Sequence, residues 1–320
     1  MARAAGPPMP DRARLRRALP VLLPSLALAV MLGVIFVMQP SAMSYFGFTL
    51  LFKMAPPLIL AALAQMLVIL LGEIDLSNGA FVGLVTCIAA IFLKDSAVVA
   101  ILILLAAMAV YVALGWLIHY RQLPSIIVSL GASFIWLGTA ILILPAPGGE
   151  IPGWLRTAAS WKPPLLPLPI WIALAIAIVA HLVLMRSSFG VMLRAAGGNP
   201  RAVQKAGWSI AWLRVAVYGA AAGLLVLAGL MLAGLITSGD PNVAPSYTLL
   251  GIGAVILGGG AFVGGYVSPI GTVIGALTLS LAGSFLSFLQ VPATWQIGAQ
   301  GVILFLVLVG RVLIDDRRRA

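Results

Sequence analysis

An all-helical integral membrane protein with about ten spanning helices is the fold class that the sequence predicts, at ~20 apolar residues per span. Three observations carry this. Hydrophobic residues make up 62% of the 320-residue chain and charged residues 8%, against roughly 45–50% and 25% in soluble domains. The apolar residues fall in runs of about span length separated by Gly, Pro or charge. The bases gather at the ends of those runs, unevenly between the two sides of the membrane. With a mean hydropathy of +1.15, eight acids and nineteen bases cannot coat a water-soluble body of this size.

The first span is expected at Pro20–Met38 and the second near Leu50–Leu71, with Pro56 and Pro57 inside it. Arg12, Arg14, Arg16 and Arg17 ahead of Pro20 resemble the charged region of a signal peptide. The apolar run that follows is nearly span length and has no convincing Ala-x-Ala site after it, so a retained first helix is expected. A break at Gly72–Asn78 precedes a short third span, Gly79–Leu93, and Lys94-Asp95 turns into the fourth, Ala97–Ile118. The fifth is Ser125–Leu144. Pro145–Pro169, with Trp154 and Trp161, reads as an external loop carrying interfacial aromatics. Leu168–Met185 is the sixth span, and Arg186–Trp208 is the largest polar interruption after the N-terminus. Ser209–Ile236, Tyr247–Val263, Ile270–Leu289 and Thr294–Val312 complete the set.

Placing the N-terminus inside puts 15 bases in the cytoplasm, including Arg121, Arg186, Arg194, Arg201, Lys205 and Arg214. Lys53, Lys94, Arg156 and Lys162 fall outside. This is the asymmetry of the positive-inside rule, with both termini cytoplasmic. The same placement accounts for the net charge of +11 without nucleic acid. The expected organisation is a basic tail over residues 1–19, one transmembrane domain over 20–313 with a cytoplasmic loop at 186–208, and a basic tail over 314–320. No stretch outside the spans is long enough for a core of its own, which takes ~40 residues. Cys87, the one cysteine, lies in an apolar run and reads as an inert buried thiol.

The segment Gly72-Glu73-Ile74-Asp75-Leu76-Ser77-Asn78-Gly79 places two acids between apolar runs, and a carboxylate at membrane depth costs at least ~2.5 kcal/mol. Two readings stand. Asp75 or Ser77 can cap the next helix, or a broken helix can line a substrate path. Gln65 and Gln296, polar groups inside apolar runs, fit either helix–helix hydrogen bonds or the lining of a path. The Gly-rich tract Gly251–Gly275 is no phosphate loop, since no lysine follows Lys205; its small residues suit close helix packing. Asn199 is a good N-cap, Pro200 suits a first helical position and Gly207 can end a helix, so Asn199–Ala206 is expected to be a short helix at the membrane face. His119 suits a helix C-terminus, and neither it nor His181 has a second metal ligand at useful spacing. Asp240-Pro241-Asn242 reads as an outer turn. No catalytic constellation is legible, and the chain is expected to perform no covalent chemistry and to hold no cofactor or metal.

Gly72–Ala80 closely resembles the G-x-I-D-L-S-x-G-A signature of permeases in the ribose, xylose and related sugar importers of the ABC class, with Glu73 where that family usually has Gly. Leu123–Gly131 is similar to the family's P-x-F-I-V-T-L-G segment, and Gly197–Ala202 with Ala206-Gly207 to its cytoplasmic G-G-N-x-x-A segment. Gly253–Gly259, Gly264-Gly265 and Gly271–Ala276 resemble its late Gly-rich signature, although Tyr266–Pro269 departs from it. The resemblance runs from about Leu50 to Leu313.

The resemblance implies a permease in the bacterial inner membrane, paired with a second copy or a paralogue. It further implies ATP-binding cassette subunits that hold ATP-Mg inside and a periplasmic sugar-binding protein outside. Gly198, Asn199, Pro200, Arg201, Ala202, Lys205 and Gly207 would couple to the ATPase. Gln65, Glu73, Asp75, Ser77 and Asn78 would lie at the helix break near the path, and Glu73→Gly would be tolerated. The rival from a different class is an ion-coupled secondary transporter with Glu73 and Asp75 as its ion site.

Overall fold

A computed structural model describes residues 10–292 of the chain and, beyond them, positions 295, 298, 299, 301, 302, 305 and 309; side chains are described from residue 21, residue 23 excepted. The expected tenth span, Gln296 and the C-terminal tail lie largely outside the described residues. Among those described there is no strand, and the ordered elements are helices. In chain order they are α1 (Pro10–Met38), a 3-10 turn (Pro40–Met43), α2 (Tyr45–Phe52), α3 (Ala55–Leu70), α4 (Asn78–Phe92), α5 (Ala97–Arg121) and α6 (Ser125–Ile143). Then follow α7 (Gly153–Ala159), α8 (Leu168–His181, continued by a wide turn to Arg186), α9 (Ser188–Gly198), α10 (Pro200–Lys205), α11 (Ile210–Ile236), α12 (Ser246–Leu257) and α13 (Pro269–Phe288).

Five of these helices are long and apolar enough to cross a membrane: α5, α6, α8 with its extension, α11 and α13. A sixth crossing arises if α2 and α3 count as one bent span, their axes meeting at 41°. Here the structure corrects the expected spans. The second is broken at Lys53-Met54, because Pro56 and Pro57 lack the N–H groups that would continue α2 and so open a new helix instead. The third, α4, has 15 residues and reaches only ~22 Å at 1.5 Å per residue, short of a ~30 Å hydrocarbon layer. The eighth stops at Leu257 after 12 residues, where glycines 258–260 take over. Helix α1 already begins at Pro10, ahead of the expected first span.

Every residue of α3 is buried. Helix α11 packs on α3, α4 and α5; α12 and α13 pack on α3 and on each other; α6 packs on α4, and α1 along α13. The outer helices bury one stripe each. On α5 it is Ala100, Leu104, Ala107, Tyr111, Gly115 and Ile118, and on α6 it is Ser129, Ala132, Trp136 and Ala140, both at helical spacing. Their remaining faces expose Ile101, Leu102, Leu105, Phe134 and Ile135, as a helix with one protein-facing side and one lipid-facing side does.

The bundle has two chemically different ends. At one, Gly265 N–H donates to Leu70 O at the close of α3 (2.8 Å), α9 and α10 join α11, and Arg214 meets Glu73. At the other, Gly148 and Gly239 exchange backbone hydrogen bonds of 3.0 and 2.8 Å, Lys94 pairs with Glu150, and Lys53, Arg156 and Lys162 surround one cavity. The Lys94 ammonium holds the Glu150 carboxyl below its ordinary range. Among the described residues, Arg201, Lys205 and Arg214 thus lie toward the first end, and Lys53, Lys94, Arg156 and Lys162 toward the second.

Candidate functional site at the helix break

Helix α3 closes with Gly72 N–H on Ile69 O (2.8 Å) and Glu73 N–H on Val68 O (3.2 Å). The chain then runs unwound to Ser77 before α4 begins. Unwound backbone inside a membrane bundle must find partners other than water, and α6 supplies them. Ser125 Oγ accepts from Ile74 N–H (3.1 Å) and Ser129 Oγ from Leu76 N–H (3.0 Å). These serines lie four residues apart, on one face of α6. Further on, Gly79 N–H donates to Thr248 Oγ1 of α12 (3.0 Å).

Asp75 is the hub of the segment and is 1% exposed. Its Oδ1 accepts from Ser77 N–H and from Ser77 Oγ–H, both at 2.7 Å, and its Oδ2 accepts from the Tyr111 phenol. Asp75 thus holds the turn into α4, while Ser77, the N-cap residue, has no side-chain capping bond. Of the two capping residues expected, only the carboxylate receives a backbone N–H.

Gln65, Asn78 and Tyr111 complete the network. The Gln65 and Asn78 amides meet at 2.7 Å. With the Gln65 amide turned to satisfy its surroundings, its nitrogen reaches Asp75 O at 2.9 Å and its oxygen takes Asp75 N–H at 3.3 Å. Tyr111 Oη is also 2.8 Å from the Asn78 side-chain amide. A phenol has one proton. Given to the carboxylate, it leaves the phenol oxygen as acceptor, and Asn78 joins Tyr111 to Gln65. Phe81, Trp136 and Tyr218 wrap this group, with ring centroids 4.9–6.2 Å apart.

Glu73 lies apart from that network. Its Oε1 is 2.5 Å from Arg214 Nη2, and its Oε2 accepts from the Tyr218 phenol at 2.9 Å. Arg214 Nη1 in turn approaches His119 Nδ1 at 2.7 Å. An arginine is always a donor, so the His119 ring accepts there and is neutral, which replaces the expectation of a simple helix-end cation. Glu73 and Arg214 line a cavity of about 290 Å³ with Gln122 and Pro124, at the end of the bundle that carries α9 and α10. Glu73→Gly, expected to be harmless, would leave Arg214 without its carboxylate.

The expected site residues fall into two groups. Gln65, Asp75, Ser77 and Asn78 are brought together but are each at most 1% exposed, and in this conformation they hold the break rather than face a cavity. Glu73 does face one. Tyr111, Ser125, Ser129, Arg214, Tyr218 and Thr248 were missed. A sequence signal existed for two of them, because Arg214 and Tyr218 lie four residues apart near the start of an apolar run.

The segment after α9 takes the shape that its cap chemistry predicts. Asn199 Oδ1 accepts from Ala202 N–H (3.1 Å), Pro200 opens α10, and Gly207 follows it at φ +87°, a left-handed conformation that favours glycine. Gly198, Asn199, Pro200, Arg201, Ala202, Lys205 and Gly207 are all exposed, and Val203 alone anchors α10. The preceding helix, α9, was read only as polar loop. It ends against the break: a side chain at Gly197 would overlap Leu70 O and Gly265 N, so backbone meets backbone there.

A family described as "Branched-chain amino acid transport system / permease component" matches residues 47–308. The ribose import permease protein RbsC of Escherichia coli (strain K12) is 26% identical over 92% of this chain and 93% of its own. The autoinducer 2 import system permease protein LsrC of Yersinia enterocolitica is 29% identical over 93% of this chain and 82% of its own. RbsC of Haemophilus influenzae is 31% identical over 45% of each. No solved structure matches the chain.

Proposed function

We propose that this chain, which belongs to the permease-component family matched over residues 47–308, is the permease of an ABC sugar importer like its ribose and autoinducer 2 relatives, and that it carries a monosaccharide or related small polar solute across the bacterial inner membrane. ATP-Mg is bound and hydrolysed by a separate cassette subunit, a periplasmic sugar-binding protein delivers the solute, and a second permease copy or a paralogue completes the pore.

The observation that carries this proposal is the contact between α9 and the helix break. The exposed α10 offers a docking knob for the cassette, and α9 connects it to Leu70 through Gly197 with no side chain between. Displacement of α10 is therefore passed to Gly72–Ser77, the segment where the bundle departs from regular helix. An ion-coupled carrier finds less support. Both Asp75 oxygens are occupied within the protein, and Glu73 is paired with Arg214, so neither carboxylate is free to load an ion.

The test is co-purification of the cassette with Ala202→Glu permease, together with substrate-stimulated ATP hydrolysis. Ala202→Glu places a bulky charge on the exposed tip of α10 and is expected to abolish both. Arg201→Glu and Lys205→Glu should weaken docking less, since an exposed ion pair is worth ~0–1 kcal/mol. Normal co-purification and stimulation with Ala202→Glu would move the contact away from α10.

A further inference from the structure

We propose that a hydroxyl-lined cavity between α3, α11, α12 and α13, at the end of the bundle opposite α10, receives the polyhydroxylated solute. This inference deepens the importer assignment and rests on it. The cavity encloses about 350 Å³, within the ~300–1,000 Å³ of small-molecule sites. Ser246 and Tyr247 of α12 and Ser280 and Ser284 of α13 line it, together with Leu58, Leu232 and other aliphatic side chains. Ser280 and Ser284 lie four residues apart and so share a face of α13, with Gly283 beside them to leave room.

The hydroxyls are in different states. Ser284 donates to Leu51 O at 2.8 Å, which leaves its oxygen free to accept. Ser280 is 9% exposed, and its Oγ is buried with no hydrogen-bond partner among the described residues. That is unusual inside a helix, where a hydroxyl bonds the carbonyl one turn back, as Thr278 does to Ile274 O at 2.8 Å two residues earlier. Buried polar groups are nearly always satisfied, and an exception calls for a missing partner. A solute hydroxyl becomes such a partner once rotation about χ1 turns the Ser280 oxygen, closed off from the cavity as it stands, toward the space that its residue lines.

The lining specifies the ligand class. It holds hydroxyls and aliphatic side chains but no charged residue, which suits a neutral molecule with hydroxyls on its edge and C–H groups on its faces. The other cavities differ in kind. The largest, between α3, α8 and α11, is lined by apolar side chains and glycine, and the one beside Glu73 carries the ion pair. Along α11 the distance from Arg214 to Leu232 is about 27 Å at 1.5 Å per residue. The hydroxyl cavity and the Glu73 cavity therefore sit near opposite ends of the bundle.

The experiment uses the whole importer, with cassette and binding protein, in proteoliposomes, and measures uptake of a panel of tritiated pentoses and hexoses. Uptake of no sugar by the wild-type chain would overturn the importer assignment itself. Given uptake of one, Ser280→Ala should lower it about 5-fold, in the range of one hydrogen bond. Ser280→Leu should abolish uptake, and Ser280→Thr should restore it to near wild type, with cassette content and binding-protein affinity unchanged. Wild-type uptake in both Ser280→Ala and Ser280→Leu would overturn the cavity assignment while leaving the importer intact. If the Ser280 variants fail to insert, Ser246→Cys on a Cys87→Ala background decides the matter. A membrane-impermeant thiol reagent should modify it, and the transported sugar should slow the reaction. A thiol already shielded by lipid or by a second copy, or one that sugar does not protect, would also overturn the proposal.

Discussion

Arg214 of α11 reaches Glu73 at the close of α3, with Nη2 2.5 Å from Oε1. The Tyr218 phenol, one turn along α11, donates to the other carboxylate oxygen. Two helices and the start of the unwound segment are thereby tied by one charged group. The acid and the base therefore act as a unit.

Glu73→Gly alone should therefore destabilise the permease rather than restore it. Breaking a buried pair by removing one partner costs on the order of 3–5 kcal/mol; Arg214 keeps partial access to solvent, so the lower end applies. Glu73→Gly with Arg214→Leu removes both charges and should recover most of the loss. Thermal unfolding of detergent-purified protein measures this, and equal stability of wild type and Glu73→Gly would refute the coupling.

Asp75→Asn should be tolerated. Asparagine keeps an oxygen for Ser77, and its nitrogen can donate to the Tyr111 oxygen. Asp75→Leu should not be, because it strands Ser77 N–H, Ser77 Oγ and the Tyr111 phenol together, at about 1–3 kcal/mol for each unsatisfied group. Membrane yield and melting temperature of the two variants should separate clearly. Similar losses in both would show that charge at Asp75, rather than hydrogen bonding, holds the break.

Ser125→Ala and Ser129→Ala should each expose one orphan backbone donor, of Ile74 and Leu76 respectively. An unsatisfied buried amide costs about 1–3 kcal/mol, so each variant should unfold at lower temperature, while Ser129→Thr, which keeps the oxygen, stays near wild type. Hydrogen exchange at residues 73–77 should rise in both alanine variants. Unchanged exchange would mean that α6 does not secure the segment.

Adjacent glycines give the sharpest contrast. A Cβ at Gly197 collides with Leu70 and Gly265 backbone, whereas one at Gly198 meets nothing within 4 Å. Gly197→Ala should abolish uptake or assembly and Gly198→Ala should leave both intact, as solute uptake and membrane abundance would report. Full activity of Gly197→Ala would remove the backbone contact as the link between α9 and α3.

The broad features were legible because composition and periodicity report directly on solvent. Apolar runs, charged ends and the short helix after Asn199 each have a local cause. The helix break was visible too, since Gly72–Asn78 interrupts an apolar run with two acids. Its function within the bundle was not. Asp75 depends on Tyr111, 36 residues on, and Glu73 on Tyr218, 145 residues on, and no local pattern pairs positions so far apart. The expected spans at Leu50–Leu71 and Tyr247–Val263 are interrupted, the first by a 41° bend and the second after Leu257, for another reason. Hydropathy counts apolar residues without asking whether Pro56, Pro57 or the glycines from Gly258 allow a continuous helix.

The backbone contact at Gly197 bears on how force moves through the protein. A side chain between two helices is a cushion: it can change rotamer and absorb a small shift before the far helix responds. Close-packed backbone has no such slack and passes strain on. If a partner docks on α10, a push delivered there would reach Leu70 through this contact, and the first irregular backbone beyond it is the unwound stretch from Gly72 to Ser77. Gly197 would then act as the rigid arm of a lever whose far end is that irregular stretch, where hydrogen bonds rather than helix geometry set the shape.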